Sequence, residues 1–180
     1  MNVLLLLVAC ATDPGGESAK GALPLLELPA CEPAPAGDEI DLEARCVLGV
    51  CAGDTWETYT AVWGPADCDP SYSTRLECEW DNDASVFFDD DDGDEVPDAG
   101  SMGDNIYLHE RFEGADSDGY RPGVSMACYL DHYGYPLAID LDLVDEVYVM
   151  HDLDYDDLGF SVGDWDDDDG IVDVLILRDG

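Results

Sequence analysis

Seven of the ten residues from Asp89 to Asp98 are carboxylates, with Gly93 and Pro97 set among them. Asp90, Asp92 and Asp94 stand at alternate positions, so a chain coiling round an ion would turn all three inward. Calcium takes six to eight hard oxygens at about 2.3–2.6 Å, and this spacing suits it. A plainer reading competes: aspartates favour turns, and the stretch would then be a hydrated hairpin loop. In a chain with 44 Asp and Glu, acidic runs arise in any case.

Other acidic stretches have less order. Residues 164–173 carry Asp164, Asp166, Asp167, Asp168, Asp169 and Asp173 around Gly170, but Trp165 takes the first ligand position in that register. The segment reads as a turn before a final strand. Asp116–Gly119 reads as a turn, and 152–157 as a solvated loop. His109-Glu110-Arg111-Phe112-Glu113 starts like a zinc-protease helix but ends in Glu, so a second imidazole is missing. His132 falls in a helical stretch beside Tyr133 and suits packing. His151 precedes an acidic run that would raise its pKa and make it a cation. There is no Gly-x-Ser-x-Gly elbow and no phosphate-binding loop. The reading is non-enzymatic; a hydrolase built on an unrecognised carboxylate pair is the remaining catalytic option.

Against those 44 acids stand 6 Lys and Arg, a formal charge of −38. Such a field repels nucleic acid and anionic lipid. It attracts cations and basic proteins, and it also keeps a surface hydrated and unassociated. Hydrophobic content of 46% is ordinary for a globular chain.

At the amino terminus, Met1-Asn2-Val3-Leu4-Leu5-Leu6-Leu7-Val8-Ala9-Cys10 is an apolar run too short to span a bilayer. Its end, Leu7-Val8-Ala9-Cys10, resembles a bacterial lipobox, although no Lys or Arg precedes it. The resemblance implies a signal peptide over 1–9, a lipidated Cys10, export, and anchoring at the outer membrane or cell surface. Residues 10–37 are rich in Pro, Gly and small side chains, as a flexible tether is. An apolar patch, Leu23-Pro24-Leu25-Leu26-Glu27-Leu28-Pro29, interrupts it.

With Cys10 lipidated, six of the 7 cysteines remain: Cys31, Cys46, Cys51, Cys68, Cys78 and Cys128. An even number outside the cytoplasm reads as three disulfides. Local spacing favours Cys46–Cys51 and Cys68–Cys78, which leaves Cys31–Cys128. No C-x-x-C pair favours zinc instead.

One short pattern occurs twice at an offset of 70. Gly53 matches Gly123, Thr55 matches Ser125, Tyr59 matches Tyr129, Trp63 matches Tyr133, and Gly64 matches Gly134; upstream, Gly49 matches Gly119. Each copy predicts a small helix with a hydroxyl N-cap, an aromatic pair at i and i+4 on one face, and a glycine stop. Alternating segments follow each helix: 74–80, 85–88 and 106–108 after the first, and 137–141, 146–150, 158–162 and 171–177 after the second. The expected fold is α+β, with two tandem units over 38–104 and 105–180. Each unit is a short helix packed on antiparallel strands, stabilised by disulfides.

The motifs Gly53-x-Thr55, Trp63-Gly64-Pro65, Gly123-x-Ser125 and Tyr133-Gly134-Tyr135-Pro136 resemble those of the β-lactamase-inhibitor protein and the small outer-membrane assembly lipoproteins. That resemblance implies an interaction module, by fold analogy alone. The register Asp90-x-Asp92-Gly93-Asp94-x-Val96-Pro97-Asp98 resembles the calcium loops of thrombospondin type-3 repeats. It implies ligands from Asp90, Asp92, Asp94, the Val96 carbonyl and Asp98. Glu95 stands where such loops carry a turn-making Gly.

Two functional expectations follow. One is a lipid-anchored envelope protein that serves structure or binds an unknown protein partner, with a basic one suited to its charge. Trp56, Trp80, Tyr148 and Trp165 are then contact candidates wherever core packing does not claim them. The other is a calcium-dependent surface adhesion module that uses loop 90–98.

Overall fold

The computed structural model describes residues 27–72, 74–144, 147–165 and 169–179. The expected signal peptide, Cys10 and the tether as far as residue 26 lie outside the described residues. A small antiparallel sheet comes first, from β1 (Ile40–Asp41), β2 (Cys46–Val47) and β3 (Val50–Cys51). Cys46 sits directly opposite Cys51, and the two are joined by a disulfide.

The two copies of the repeat fold as helices α1 (Trp56–Trp63) and α2 (Met126–Tyr133). Gly64 and Gly134 end them at φ of 91° and 78°, a left-handed backbone that suits glycine. Ser125 caps α2 by accepting the Ala127 N–H at 3.1 Å. Thr55 makes no such bond; its hydroxyl lies 3.2 Å from that of Thr58. The start of each helix is held instead by a distant strand-like segment. The Trp56 N–H donates to the Ser101 carbonyl, and the Met126 N–H to the Gly170 carbonyl, both at 2.9 Å. Thr55 bridges Met102 and Ser125 bridges Ile171 in the same way.

Four strands follow each helix. After α1 come β4 (Asp67–Tyr72), β5 (Arg75–Trp80), β6 (Ala84–Asp89) and β7 (Ile106–His109). After α2 come β8 (Ala138–Val144), β9 (Val147–Tyr155), β10 (Phe160–Gly163) and β11 (Val174–Leu177). All eight make one antiparallel sheet in the order β4-β5-β6-β7-β11-β10-β9-β8. The order is palindromic because the last strands of the two units pair in the middle. Ile106 faces Leu177, Leu108 faces Leu175, and Tyr107 faces Ile176. By connectivity β7 closes the first unit, so the repeat boundary falls after His109.

The helices cover one sheet face. Leu76, Cys78, Phe88, Leu108, Leu175, Val162, Phe160 and Leu153 are buried beneath them. Tyr59 from α1 and Tyr129 from α2 are fully enclosed. Tyr59 meets Phe88 edge-on at 5.4 Å, and Tyr133 meets Phe160 at 5.1 Å. Each such large side chain contributes about 1.5–3 kcal/mol on leaving water. Trp80 and Trp56 belong to this core, 6.0 Å apart; Trp165 and Tyr148 are the exposed aromatics of the four contact candidates.

Two stretches differ from expectation. β4 carries Asp67, Asp69 and the non-donating Pro70, so it shows no strand pattern; as an outer strand it tolerates all three. Residues 152–155, read as solvated loop, continue β9. Asp152 and Asp154 turn to the helix-free face while Leu153 and Tyr155 enter the core.

Disulfides link Cys68 to Cys78 and Cys31 to Cys128 as well, so the two pairs that local spacing favours form together with the pair left over. The described part of the tether lies along the second unit. Ser125 donates to the Pro29 carbonyl at 2.8 Å, Ala34 N–H to Gly119 at 3.0 Å, and Gly37 N–H to Asp116 at 2.8 Å. Gly119 has a φ of +84°, and a side chain there would run into the Ala34 backbone. Among the described residues, no helix is long and apolar enough to cross a membrane.

Candidate metal centre

The β6–β7 connection begins at the acidic run and ends at the segment that clamps α1. Asp90 is the buried anchor of the turn. One of its carboxylate oxygens accepts the N–H groups of Gly93 (3.0 Å) and Asp94 (3.2 Å), and the other accepts that of Glu95 (3.2 Å). Asp92 accepts from Asp94, and Asp94 accepts from Val96. These bonds coil the chain so that oxygens of Asp90, Asp92 and Asp94 lie within 4.8 Å of one another. Glu95 takes a left-handed φ of 63°, so the turn is made here at some backbone strain.

The other two expected ligands sit differently. The Asp98 carboxylate accepts the Asp91 N–H at 2.9 Å and so closes the base of the loop. Val96 is attached through its N–H, which donates to Asp94. The cluster is electrostatically unfavourable by itself. A hydrogen bond from the Asp94 N–H lowers the pKa of Asp92, but the Asp94 charge, desolvation and the charges of Asp98 and Asp90 together raise it above the usual carboxylate range. A divalent cation would remove that conflict.

The loop is wired to α1. Asp98 takes part in backbone bonds to Asp89 and Ser101, and the Ser101 hydroxyl accepts the Asp89 N–H at 3.0 Å. The Gly100 N–H donates to Glu57, in the first turn of the helix, at 3.0 Å. The loop's shape therefore sets where the helix begins.

A second cluster lies on the helix-free face of the other unit. Asp140 faces Asp152 across β8 and β9, yet Leu141 faces Met150. His151 is thus the extra residue of a β-bulge, which turns it toward the two carboxylates. Its Nδ1 is 2.9 Å from Asp152, and the three side chains can share one ion. The Trp165 indole donates to the other Asp152 oxygen at 3.0 Å. Burial lowers the His151 pKa, but the Asp152 hydrogen bond and the charges of Asp152, Asp142 and Asp140 raise it overall. Sequence reasoning did not find this cluster, because it depends on strand pairing and a bulge.

The remaining candidates resolve into local roles. The β10–β11 connection is the positional counterpart of loop 90–98. There the fully buried Asp164 accepts the Gly170 N–H at 2.6 Å, and Asp169 accepts that of Ile171 at 2.8 Å. Residues 166–168 of this turn lie outside the described residues. Asp116 accepts the N–H groups of Asp118 and Tyr120, as a turn aspartate does. His132 packs 4.8 Å from the Tyr120 ring. His109 lies 3.0 Å from the Ser85 hydroxyl, which donates to Glu77 at 3.3 Å. Ser85 is fully buried, so this trio ties β5, β6 and β7 together and offers no open nucleophile.

No family model matches the chain, and no curated protein or solved structure shows significant similarity to it.

Proposed function

We propose that the chain is a calcium-dependent surface-binding module, with the ion held in loop 90–98. The observation that carries this reading is the convergence of Asp90, Asp92 and Asp94 within 4.8 Å on a loop wired to the start of α1. Three carboxylates supply charge and hard oxygens; backbone carbonyls and water would supply the rest of a calcium shell. Binding relieves the repulsion at Asp92 and fixes the Gly100–Glu57 contact, so the ion orders both the loop and the helix start. An affinity in the range of extracellular calcium modules, about 0.1–1 mM, suits so open a loop.

Export on a lipidated Cys10, toward a membrane-anchored place at the outer membrane or cell surface, is part of the same proposal. Support comes from the pairing of all six described cysteines in disulfides, which persist in oxidising compartments.

The test is calcium titration of the oxidised chain by calorimetry and thermal melting, with the double variant Asp92→Asn, Asp94→Asn as control. Saturable binding that raises the melting temperature, and is lost in the variant, supports the reading. If several-millimolar calcium gives neither heat nor shift, the loop is a hydrated hairpin and the reading fails.

A further inference from the structure

The eight-stranded sheet has two outer strands, and they are not equally protected. On β4 the outer flank carries Pro70, and its register with β5 shifts between Pro70 and Tyr72. Proline and irregular pairing are devices that stop a further strand from adding. β8 has no proline, runs for seven residues, and among the described residues is flanked by β9 alone. Its sides differ sharply. Leu137 and Leu141 lie on the helix side of the edge, 70% and 36% exposed, with Ile139 between them. Asp140 and Asp142 lie on the opposite side, beside Asp152 and His151.

We infer that the β8 edge accepts an extended strand from a basic partner, in which arginine or lysine alternates with aliphatic residues. An added strand places its side chains level with those of β8. Its cations then fall beside Asp140 and Asp142, and its aliphatic residues extend the Leu137–Ile139–Leu141 strip. Main-chain hydrogen bonds supply affinity and the alternation supplies specificity. Charge decides the occupant. A second copy of this chain would set Asp140 and Asp142 against another acidic pair, and like charges on adjacent strands are destabilising. Each chain also carries a formal charge of −38, which opposes self-association.

The test is fluorescence anisotropy of a short, labelled, end-blocked peptide of alternating arginine and valine. It is titrated with the full oxidised chain at physiological ionic strength in excess chelator, so calcium binding plays no part. Saturable one-to-one binding is expected. Asp140→Asn with Asp142→Asn weakens it by about tenfold or more, whereas Asp67→Asn with Asp69→Asn on β4 leaves it unchanged. A peptide with proline at its centre fails to bind, and amide hydrogen exchange slows across 138–142 when the parent peptide is present. Four results each overturn the inference: no binding, equal binding of the proline peptide, equal losses in the two double variants, or exchange protection that falls elsewhere.

Discussion

The hydroxyls of Tyr59 and Tyr129 make the same hydrogen bond, one in each unit. Each donates to the carbonyl eight residues upstream: Tyr59 to Cys51 at 2.9 Å and Tyr129 to Arg121 at 3.2 Å. A parallel pair caps the helix ends, where Trp80 donates to the Gly64 carbonyl and Tyr155 to the Gly134 carbonyl, both at 3.1 Å. Tyr59→Phe and Tyr129→Phe should each lower stability by about 1–2 kcal/mol, since a partly buried carbonyl loses its donor. Tyr59→Ala should cost about 3–5 kcal/mol through the cavity it leaves. Urea unfolding monitored by tryptophan fluorescence measures both.

The same tyrosines set an alkaline limit. Burial first, with nearby carboxylates second, raises Tyr59, Tyr129 and Tyr133 above the ordinary value of 10.0; burial alone raises Tyr155. The folded chain keeps protons that the unfolded chain releases. This contribution is therefore complete below pH 10 and lost as pH rises beyond it. Phenolate absorbance from these four tyrosines should appear together with loss of tertiary signal, in one transition above pH 10.

Asp92 titrates with the opposite consequence for the metal. Its raised pKa means that, without an ion, its charge opposes the fold at every pH above the carboxylate range. In chelator, Asp92→Asn should be at least as stable as the parent; in calcium, only the parent should gain. Calcium affinity should also fall as pH drops through the raised pKa, because the protonated acid is a poor ligand. Calorimetry at a series of pH values reads this directly.

Glu95→Gly should stabilise the chelated protein by up to about 1 kcal/mol. The left-handed φ of 63° costs an L-residue about 1–2 kcal/mol, and the greater freedom of glycine when unfolded offsets part of the gain. A rise in the urea midpoint with unchanged slope is the expected signature.

Cys31–Cys128 closes the longest loop, with a sequence separation of 97, against 5 for Cys46–Cys51. On chain entropy, its replacement by serines should cost about 4.7 kcal/mol, against about 2 kcal/mol for the short pair. It should also free the segment 27–37, seen as faster amide exchange at Ala34 and Gly37.

The repeat was legible because its constraints are local. Glycine, a hydroxyl residue and an aromatic pair recur in a fixed order, and Gly64 and Gly134 stop the helices at positive φ as expected, although only Ser125 caps its helix through its side chain. The sheet was legible where one face is buried, as in β5, where Leu76, Cys78 and Trp80 alternate with charged residues. It was hidden in β4, whose acids and proline suit an outer strand, and in 152–155, where acids on the open face mask Leu153 and Tyr155. The convergence of Asp90, Asp92 and Asp94 could be read from their alternate spacing. The Asp140–His151–Asp152 cluster could not, since its residues meet only after two strands pair with one residue in excess.

The pairing of β7 with β11 carries a further consequence. Neither unit completes its own sheet, because each would leave its last strand bare. The pairing maps onto itself when the units are exchanged, with Tyr107 opposite Ile176 at the pivot. That is the geometry of a twofold homodimer whose halves have been joined into one polypeptide. Joining releases the halves from identity: one keeps an acidic loop with three converging carboxylates, while the equivalent turn in the other carries an indole that reaches Asp152. Asymmetry of function on a symmetric frame is what such a fusion permits.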